Sequence, residues 1–581
     1  MCGIWAFINL IKENPDYDKL YSDFMKMKAR GPDMTSFQIL KNLSVGFHRL
    51  AIMDPTFHAN QPYILEDGDR TIVFVCNGEI YNFKELINYH KLPIYNNSDC
   101  MTIPQLYLKY VKYNPDSYND INDFVDLFSH NVNGEYAFMI FEFNKLQNLK
   151  EIIVCRDHVG IRPLYFGCEK ENNIIKNLMF SSEVKGMLNY KGDVKEFEPG
   201  TIMHFNLEDT KICYKNTHDF KTIYDVIPLD ETIFDRETEK YKDMEEKLLL
   251  EVRESVIASV KRRLVSDRPI AFLLSGGLDS SLVSGVASKL LGTKINTYCC
   301  GILGTNSTDI KYAKTVANFI KSNHTEVLFS IEEALSAIPE VIRIIESYDV
   351  TSIRASTGQY MVSKYVATNT PARVILTGEL SDEVTSGYLY NYYAPSGKAL
   401  HDSAMEYVRK VHIYDGRRVD RCVAGVSCEA RIPLSDPQFI SSYWKIPANW
   451  RLPTFKNCEK WWLRKAFEGT DILNNEVLWR RKEAFSDGIS GTTKSWFQII
   501  QEHIDTIISD EEFKNNKWGS ITKEQYYYRK IFCEIYGENR TSIIPHMWIP
   551  KWNSSGEDVK MYVDPSARTL SAYKNEDQEK L

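Results

Sequence analysis

Pro269-Ile-Ala-Phe-Leu-Leu-Ser-Gly-Gly-Leu-Asp-Ser-Ser281 decides the fold of the larger part of this chain. Ile270 to Leu274 is too short and too uniformly apolar for an amphipathic helix and reads as a central parallel strand. Leu282, Val283, Val286 and Leu290 recur behind it at helical spacing. Ser275, Gly276 and Gly277 lie between strand and helix, where two glycines allow a sharp turn and close approach to a ligand. The free N–H groups and positive dipole end at the helix start favour an anion. Asp279 would repel a bare phosphate there, so the loop implies a divalent cation, Mg²⁺, between carboxylate and phosphate oxygens.

Gly-Gly alone fits an ordinary turn, and the Lys of a Walker loop is missing. The full string Ser-Gly-Gly-Leu-Asp-Ser280 resembles the pyrophosphate loop of the ATP-pyrophosphatase family. That resemblance implies ATP as co-substrate, held by Ser275, Gly276, Gly277, Asp279 and Ser280. It also implies cleavage to AMP and pyrophosphate through an adenylated carboxylate.

Working outward, 581 residues exceed one core, so at least two domains are expected. The net charge of −8 excludes a general nucleic-acid binder, since no basic excess exists to displace counterions. Small-molecule substrates are expected instead. No apolar run approaches membrane-spanning length, and Met1-Cys-Gly-Ile-Trp5 lacks a signal-peptide pattern, so a cytoplasmic location is expected. Twelve cysteines at irregular spacing, without a Cys-x-x-Cys pair, suggest neither zinc nor a disulfide framework.

Cys2 is the first residue whose position carries chemistry. Once Met1 is removed, its thiol and a free α-amine with a pKa of about 8 belong to one residue, and the amine serves as base. An early cysteine by itself is unremarkable, but Met-Cys-Gly-Ile4 resembles the start of the class II (N-terminal nucleophile) glutamine amidotransferases. Arg30-Gly-Pro-Asp33, His48-Arg-Leu-Ala-Ile52, Asn77-Gly-Glu-Ile-Tyr-Asn82 and Ser98-Asp-Cys100 follow in the same order. The resemblance implies a glutamine site with Arg49 on the α-carboxylate, Leu50 and Ile52 lining it, and Glu79 with Asp99 on the α-ammonium. Asn77 and Gly78 suit an oxyanion hole, although Asn-Gly after the apolar run Ile72 to Cys76 also reads as a hairpin turn. Ala29 stands where the family usually has His. Cys155 to Tyr165 and Ser181 to Lys185 also resemble this domain and read as structural strands and turns.

Apolar periodicity fades between Leu207 and Asp243, which reads as a linker. A long amphipathic helix, Met244 to Arg262, then leads to the phosphate strand. Ile295 to Gly301 reads as a second strand, Asp309 to Ile320 as the helix after it, and Val374 to Glu383 as a buried strand ending in an acidic turn.

Ile345 to Thr357, Val374 to Glu383, Asp415 to Arg418, Cys428 to Pro433, Trp479 to Gly488, Trp548 to Trp552 and Asp564 to Arg568 together resemble the glutamine-dependent asparagine synthetases over nearly the whole chain. The resemblance implies Mg²⁺ on Asp279 and Asp382, a base at Glu379 for ammonia, and Lys482 on the charge of ATP and the aspartyl adenylate. It places Leu274, Cys300, Thr377 and Gly378 at the nucleoside, and Glu379, Asp415 and Arg418 at aspartate. A homodimer is a further expectation. Departures stand at Leu380, Thr385-Ser386 and Leu434-Ser435; Leu380 replaces a small residue and either turns into the core or lines the ammonia path. The β-lactam-forming synthetases share both domains, but they generally lack the nucleophilic cysteine. A non-catalytic relic would show losses at Cys2, Asp279, Asp382 or Lys482, and all are present.

The expected fold is α/β: an αββα sandwich of the N-terminal-nucleophile glutaminase kind over 1–206, a linker at 207–243, a mostly parallel, Rossmann-like synthetase domain over 244–560, and a tail at 561–581 with Lys574 to Leu581 disordered.

Overall fold

The computed structural model describes residues 1–11, 15–114, 119–207, 211–217, 239–491, 494–566 and 569. Strands β1 (Gly3–Asn9), β2 (Met34–Leu40), β3 (Leu43–Arg49), β4 (Tyr63–Asp67), β5 (Arg70–Ile80) and β6 (Gly134–Asn144) open the chain. They are followed by β7 (Leu149–Arg156), β8 (Tyr165–Glu171), β9 (Ile174–Ser181), β10 (Asp193–Glu196), β11 (Thr201–Asn206) and β12 (Lys211–Asn216). These form two antiparallel six-stranded sheets, ordered β10-β8-β9-β1-β3-β2 and β12-β11-β7-β6-β5-β4.

Strand periodicity sets the layers. Ile4, Ala6 and Ile8 of β1 meet Val73, Val75, Ala137 and Met139 of the facing sheet in one dry core. The alternate residues Trp5 and Phe7 pack outward against Leu20 and Phe24 of the helix Tyr17–Met25. On the far side, Ile72, Phe74 and Cys76 lie under Leu86, Leu106 and Phe124 of three helices. The result is the αββα sandwich.

Two expectations need correction here. β12 pairs with β11 and extends the second sheet past 206, so the glutaminase domain continues into the expected linker. Its lysines weaken the apolar alternation that would have revealed an edge strand. The rest of that linker, 218–238, lies outside the described residues. The helix expected from Met244 begins at Glu239, with Tyr241 buried in its polar first turn.

β13 (Ile270–Leu273), β14 (Asn296–Ile302), β15 (Asn323–Phe329), β16 (Val374–Leu376) and β17 (Glu429–Arg431) form an all-parallel sheet ordered β15-β14-β13-β16-β17. Numbered within this domain, that is 3-2-1-4-5, and the order reverses between β13 and β16. A ligand crevice is expected beyond the carboxyl ends of those two strands. The segment after 560 also belongs to this domain: Asp564 accepts from Arg354 at 2.9 Å, and the Ser566 hydroxyl donates to Asp487 at 2.9 Å. Lys574 to Leu581 lie outside the described residues.

Candidate active site

A cavity of about 210 Å³ opens at that switch point. Leu274, Ser275, Gly277, Asp279 and Ser280 line it from the β13 turn, Cys300 from β14, and Thr377, Gly378, Glu379 and Asp382 from the β16 turn. Asp415, Arg418 and Lys482 close the far side. Gly276 is the exception. Its φ of +73° turns the chain, and an added Cβ would stand 2.3 Å from the Ala313 backbone, so it packs on the helix Thr308–Ile320 rather than lining the cavity. At Gly378 a Cβ would stand 2.5 Å from the Ser280 nitrogen, so only glycine lets the two turns approach this closely.

Electrostatics organise the cavity. The Lys460 ammonium stands 2.6 Å from both Asp279 and Asp382, and Lys482 stands 2.5 Å from the other oxygen of Asp382. Burial opposes ionisation of Asp382, but the two ammonium groups outweigh it and hold the carboxyl well below its usual range. Burial likewise opposes the charge on Lys482, and Asp382 and then Asp279 raise its pKa. Asp279 Oδ1 is buried with no partner among the described residues. Glu379 Oε1 accepts from Gln359 at 2.9 Å and Arg418 at 3.2 Å, whereas Oε2 is buried and unpartnered among them. Arg418 also reaches Asp415 at 3.1 Å. Lys460 and Gln359 were not legible in advance: each is an ordinary polar residue near or within a helix, placed by chain return alone.

Tyr388 donates to Glu383 at 2.6 Å, with Asp415 at 3.5 Å. Burial, then Asp415 and Asp382, push the Glu383 carboxyl up to about 8. The folded protein therefore holds a proton between about pH 4.5 and about 8 that the unfolded chain has released, and stability falls as pH rises through that window. Glu383→Gln should flatten this fall. Melting curves from about pH 5 to about 8.5 check it, and an unchanged slope would show that Glu383 is ionised throughout.

Leu380 is only 1% exposed, joins the hydrophobic core and also borders the cavity. Its φ of 69° is left-handed, costing a branched side chain roughly 1–2 kcal/mol. Leu380→Gly loses about 1.5–3 kcal/mol of burial but relieves that strain. Leu380→Ala loses most of the burial and keeps the strain. The glycine variant should therefore be the more stable of the two by about 1 kcal/mol in urea titrations, the reverse of the usual order. Alanine proving the more stable would mean the strain is absent.

The second site lies at the sandwich. The Cys2 thiol donates to the Leu50 carbonyl at 3.7 Å, and Met1 is buried with its ammonium donating to the Cys428 carbonyl at 3.3 Å. Burial pushes the thiol up to about 11 against the pull of that ammonium. With Met1 in place the Cys2 nitrogen is an amide and cannot act as base. Asn77 and Gly78 form no hairpin turn. They lie inside β5, paired with Ala137 and Tyr136, and Asn77 Nδ2 is buried and unpartnered among the described residues.

The Arg49 guanidinium is held by the loop after it, donating to Thr56 O and Asn60 Oδ1 at 2.6 Å and to the Met53 and Asp54 carbonyls. Buried Ile52 accepts from Asp267 at 3.3 Å. Asp99 accepts from the Ile80 N–H at 2.6 Å, and burial raises it to about 6. Burial, then Glu429 and Asp99, raise Glu79 well above the carboxylate range, and Arg431 stands 3.2 Å from it. Two acids held this way seek a cation, as an α-ammonium would supply. Glu429 and Arg431 come from β17 of the other domain, and the Arg431 carbonyl accepts from Thr377 at 3.1 Å. One short strand thus touches both sites.

Comparison with known proteins agrees with this pairing of sites. The glutamine amidotransferase domain model matches residues 1–243, and the asparagine synthase model matches 251–409 and 395–555. The glutamine-hydrolysing asparagine synthetase of Gallus gallus is 35% identical over 100% of both chains. The chain belongs to the glutamine-hydrolysing asparagine synthetases. The asparagine synthetases of Mus musculus and Homo sapiens, also glutamine-hydrolysing, are 35% and 34% identical, each over 99% of both chains. Among the described residues of this synthetase no helix is long and apolar enough to cross a membrane.

Proposed function

We propose that the chain converts ATP, L-aspartate, L-glutamine and water to AMP, pyrophosphate, L-asparagine and L-glutamate. The supporting observation is the single cavity that gathers Asp279, Asp382, Lys482 and a Glu379 carboxylate with one free oxygen.

In the first half, removal of Met1 frees the Cys2 α-amine, which takes the thiol proton. The thiolate adds to the carboxamide carbon, and the oxyanion forms beside Asn77 Nδ2 and the Gly78 N–H. The α-ammonium returns its proton to the leaving nitrogen, ammonia departs, and water hydrolyses the thioester to glutamate and the free thiol. In the second half, the aspartate β-carboxylate attacks the α-phosphorus of ATP and pyrophosphate departs. Lys482, and Lys460 beside it, oppose the negative charge that gathers on the phosphate oxygens. Ammonia then adds to the acyl carbon, AMP leaves, and Glu379 Oε2 takes the excess proton.

Asp279 and Asp382 would hold Mg²⁺. Three of the four carboxylate oxygens face Lys460 or Lys482, and Asp279 Oδ1, buried and unpartnered among the described residues, is the one left to a cation that takes one or two carboxylates and completes its shell with phosphate oxygens and water. Bound there, it would neutralise phosphate charge and orient the leaving group. The twelve cysteines are all free, which suits the reducing cytoplasm.

Product analysis with aspartate, glutamine, ATP and Mg²⁺ tests the reading. Asparagine, AMP and pyrophosphate should appear in equal amounts; ADP and phosphate in their place would refute it.

A further inference from the structure

Arg30 ties the nucleophile to the other domain. Its Nε donates to the Cys2 carbonyl at 2.9 Å, and its fork reaches both oxygens of Asp420, at 2.8 and 3.3 Å. Glu183 takes a further bond from Nη1 at 2.8 Å. Arg30 is 1% exposed and Asp420 0%, so water cannot replace either partner. Burial alone would raise the Asp420 carboxyl, but Arg30 and then Arg421 hold it below its ordinary value and keep it charged.

Asp420 sits on the helix Asp415–Ala424. Arg418 of the same helix donates to Glu379, the candidate base of the synthetase cavity. Positions two apart on a helix point about 200° from each other. The helix is therefore gripped on one side by the backbone of the nucleophile and on the other by the amination site.

We propose that Asp420, a synthetase-domain residue, is a positioning residue of the glutaminase reaction. It fixes Arg30, Arg30 fixes the Cys2 carbonyl, and the thiol is aimed only while the helix Asp415–Ala424 is docked. The inference rests on Cys2 being the glutaminase nucleophile. Bidentate Arg–carboxylate geometry is directional, so the neutral amide of Asn, with one acceptor oxygen, cannot reproduce it. The carboxylate of Glu can do so after a small shift.

The test compares Asp420→Asn and Asp420→Glu with the wild-type chain. Asparagine synthesis is measured from glutamine and from ammonium, glutaminase kcat and KM separately, and the alkylation rate of Cys2 by iodoacetamide. For Asp420→Asn, glutaminase kcat and the alkylation rate should fall together by about ten-fold or more, since misplacement by about 1 Å costs up to about 100-fold. KM for glutamine and ammonia-dependent synthesis should stay within about two-fold, because neither uses the aim of the thiol. Asp420→Glu should recover most of the loss. Unchanged glutaminase kcat in Asp420→Asn overturns the proposal, and so does an equal fall with both nitrogen donors or a failure of Asp420→Glu to recover. Should Asp420→Asn fail to fold, Arg30→Lys is carried through the same assays, since one ammonium cannot span the Cys2 carbonyl and both Asp420 oxygens: lowered glutaminase kcat with intact ammonia-dependent synthesis supports the proposal, and full wild-type kcat overturns it. Failure of the underlying reading looks different: a Cys2→Ala variant would then still hydrolyse glutamine.

Discussion

Cys2→Ala should abolish asparagine formation from glutamine, by at least about 10⁴-fold, and leave formation from ammonium largely intact. The methyl group cannot form the thioester, and no other described thiol is placed to replace it: Cys100, near Gly78, is buried and its thiol raised well above the ordinary value, chiefly by the neighbouring Cys76 and by burial. The cavity proposed for adenylation lies at the parallel sheet, and Cys2 is not among its lining residues. Parallel assays with the two nitrogen donors check this. Equal loss with both would mean that the two reactions share one site. Retaining Met1, or adding an uncleaved N-terminal extension, should act like the mutation, because either leaves the Cys2 nitrogen an amide.

Asp279→Asn and Asp382→Asn should each lower aspartate-dependent pyrophosphate release by about 10²–10³-fold while glutaminase activity stays within about two-fold. Each change removes a carboxylate proposed to hold Mg²⁺ and leaves Lys460 short of a partner in a buried place. Partial rescue by excess Mg²⁺ would follow if weaker metal binding is the cause. Normal pyrophosphate formation in Asp279→Asn would show that the turn after β13 does not hold the phosphates.

The strand, turn and helix around Ser275 were legible because three local signals agree there: a short apolar run, paired glycines, and helical periodicity behind them. The sandwich was legible only through the resemblance carried by Cys2 and the motifs that follow it, because its strands were not read from their own periodicity. Gly276 marks the limit, since a glycine needed for a turn and one needed for a ligand look alike in sequence, and here only Gly277 faces the cavity. Lys460 was hidden for another reason. Glu459-Lys460-Trp461 at a helix start looks like a solvated cation, and only the return of the chain 181 residues after Asp279 brings its ammonium between two carboxylates. Arg49 shows a related limit. Its type suits a carboxylate clamp, and the loop carbonyls that hold its fork in place could not be foreseen from sequence. β17, with three residues, is too short to carry a period, so the strand joining the two sites had no signal beyond the motif around it.

The central claim is that aspartate is activated by adenylation in the cavity between β13 and β16. Aspartate labelled with ¹⁸O in its β-carboxylate, supplied with ATP, Mg²⁺ and glutamine, tests it directly by mass spectrometry of the products. One labelled oxygen should pass to AMP and none to pyrophosphate, because the β-carboxylate oxygen that attacks the α-phosphorus leaves with AMP. Label found in inorganic phosphate, with ADP as the nucleotide product, would contradict the account.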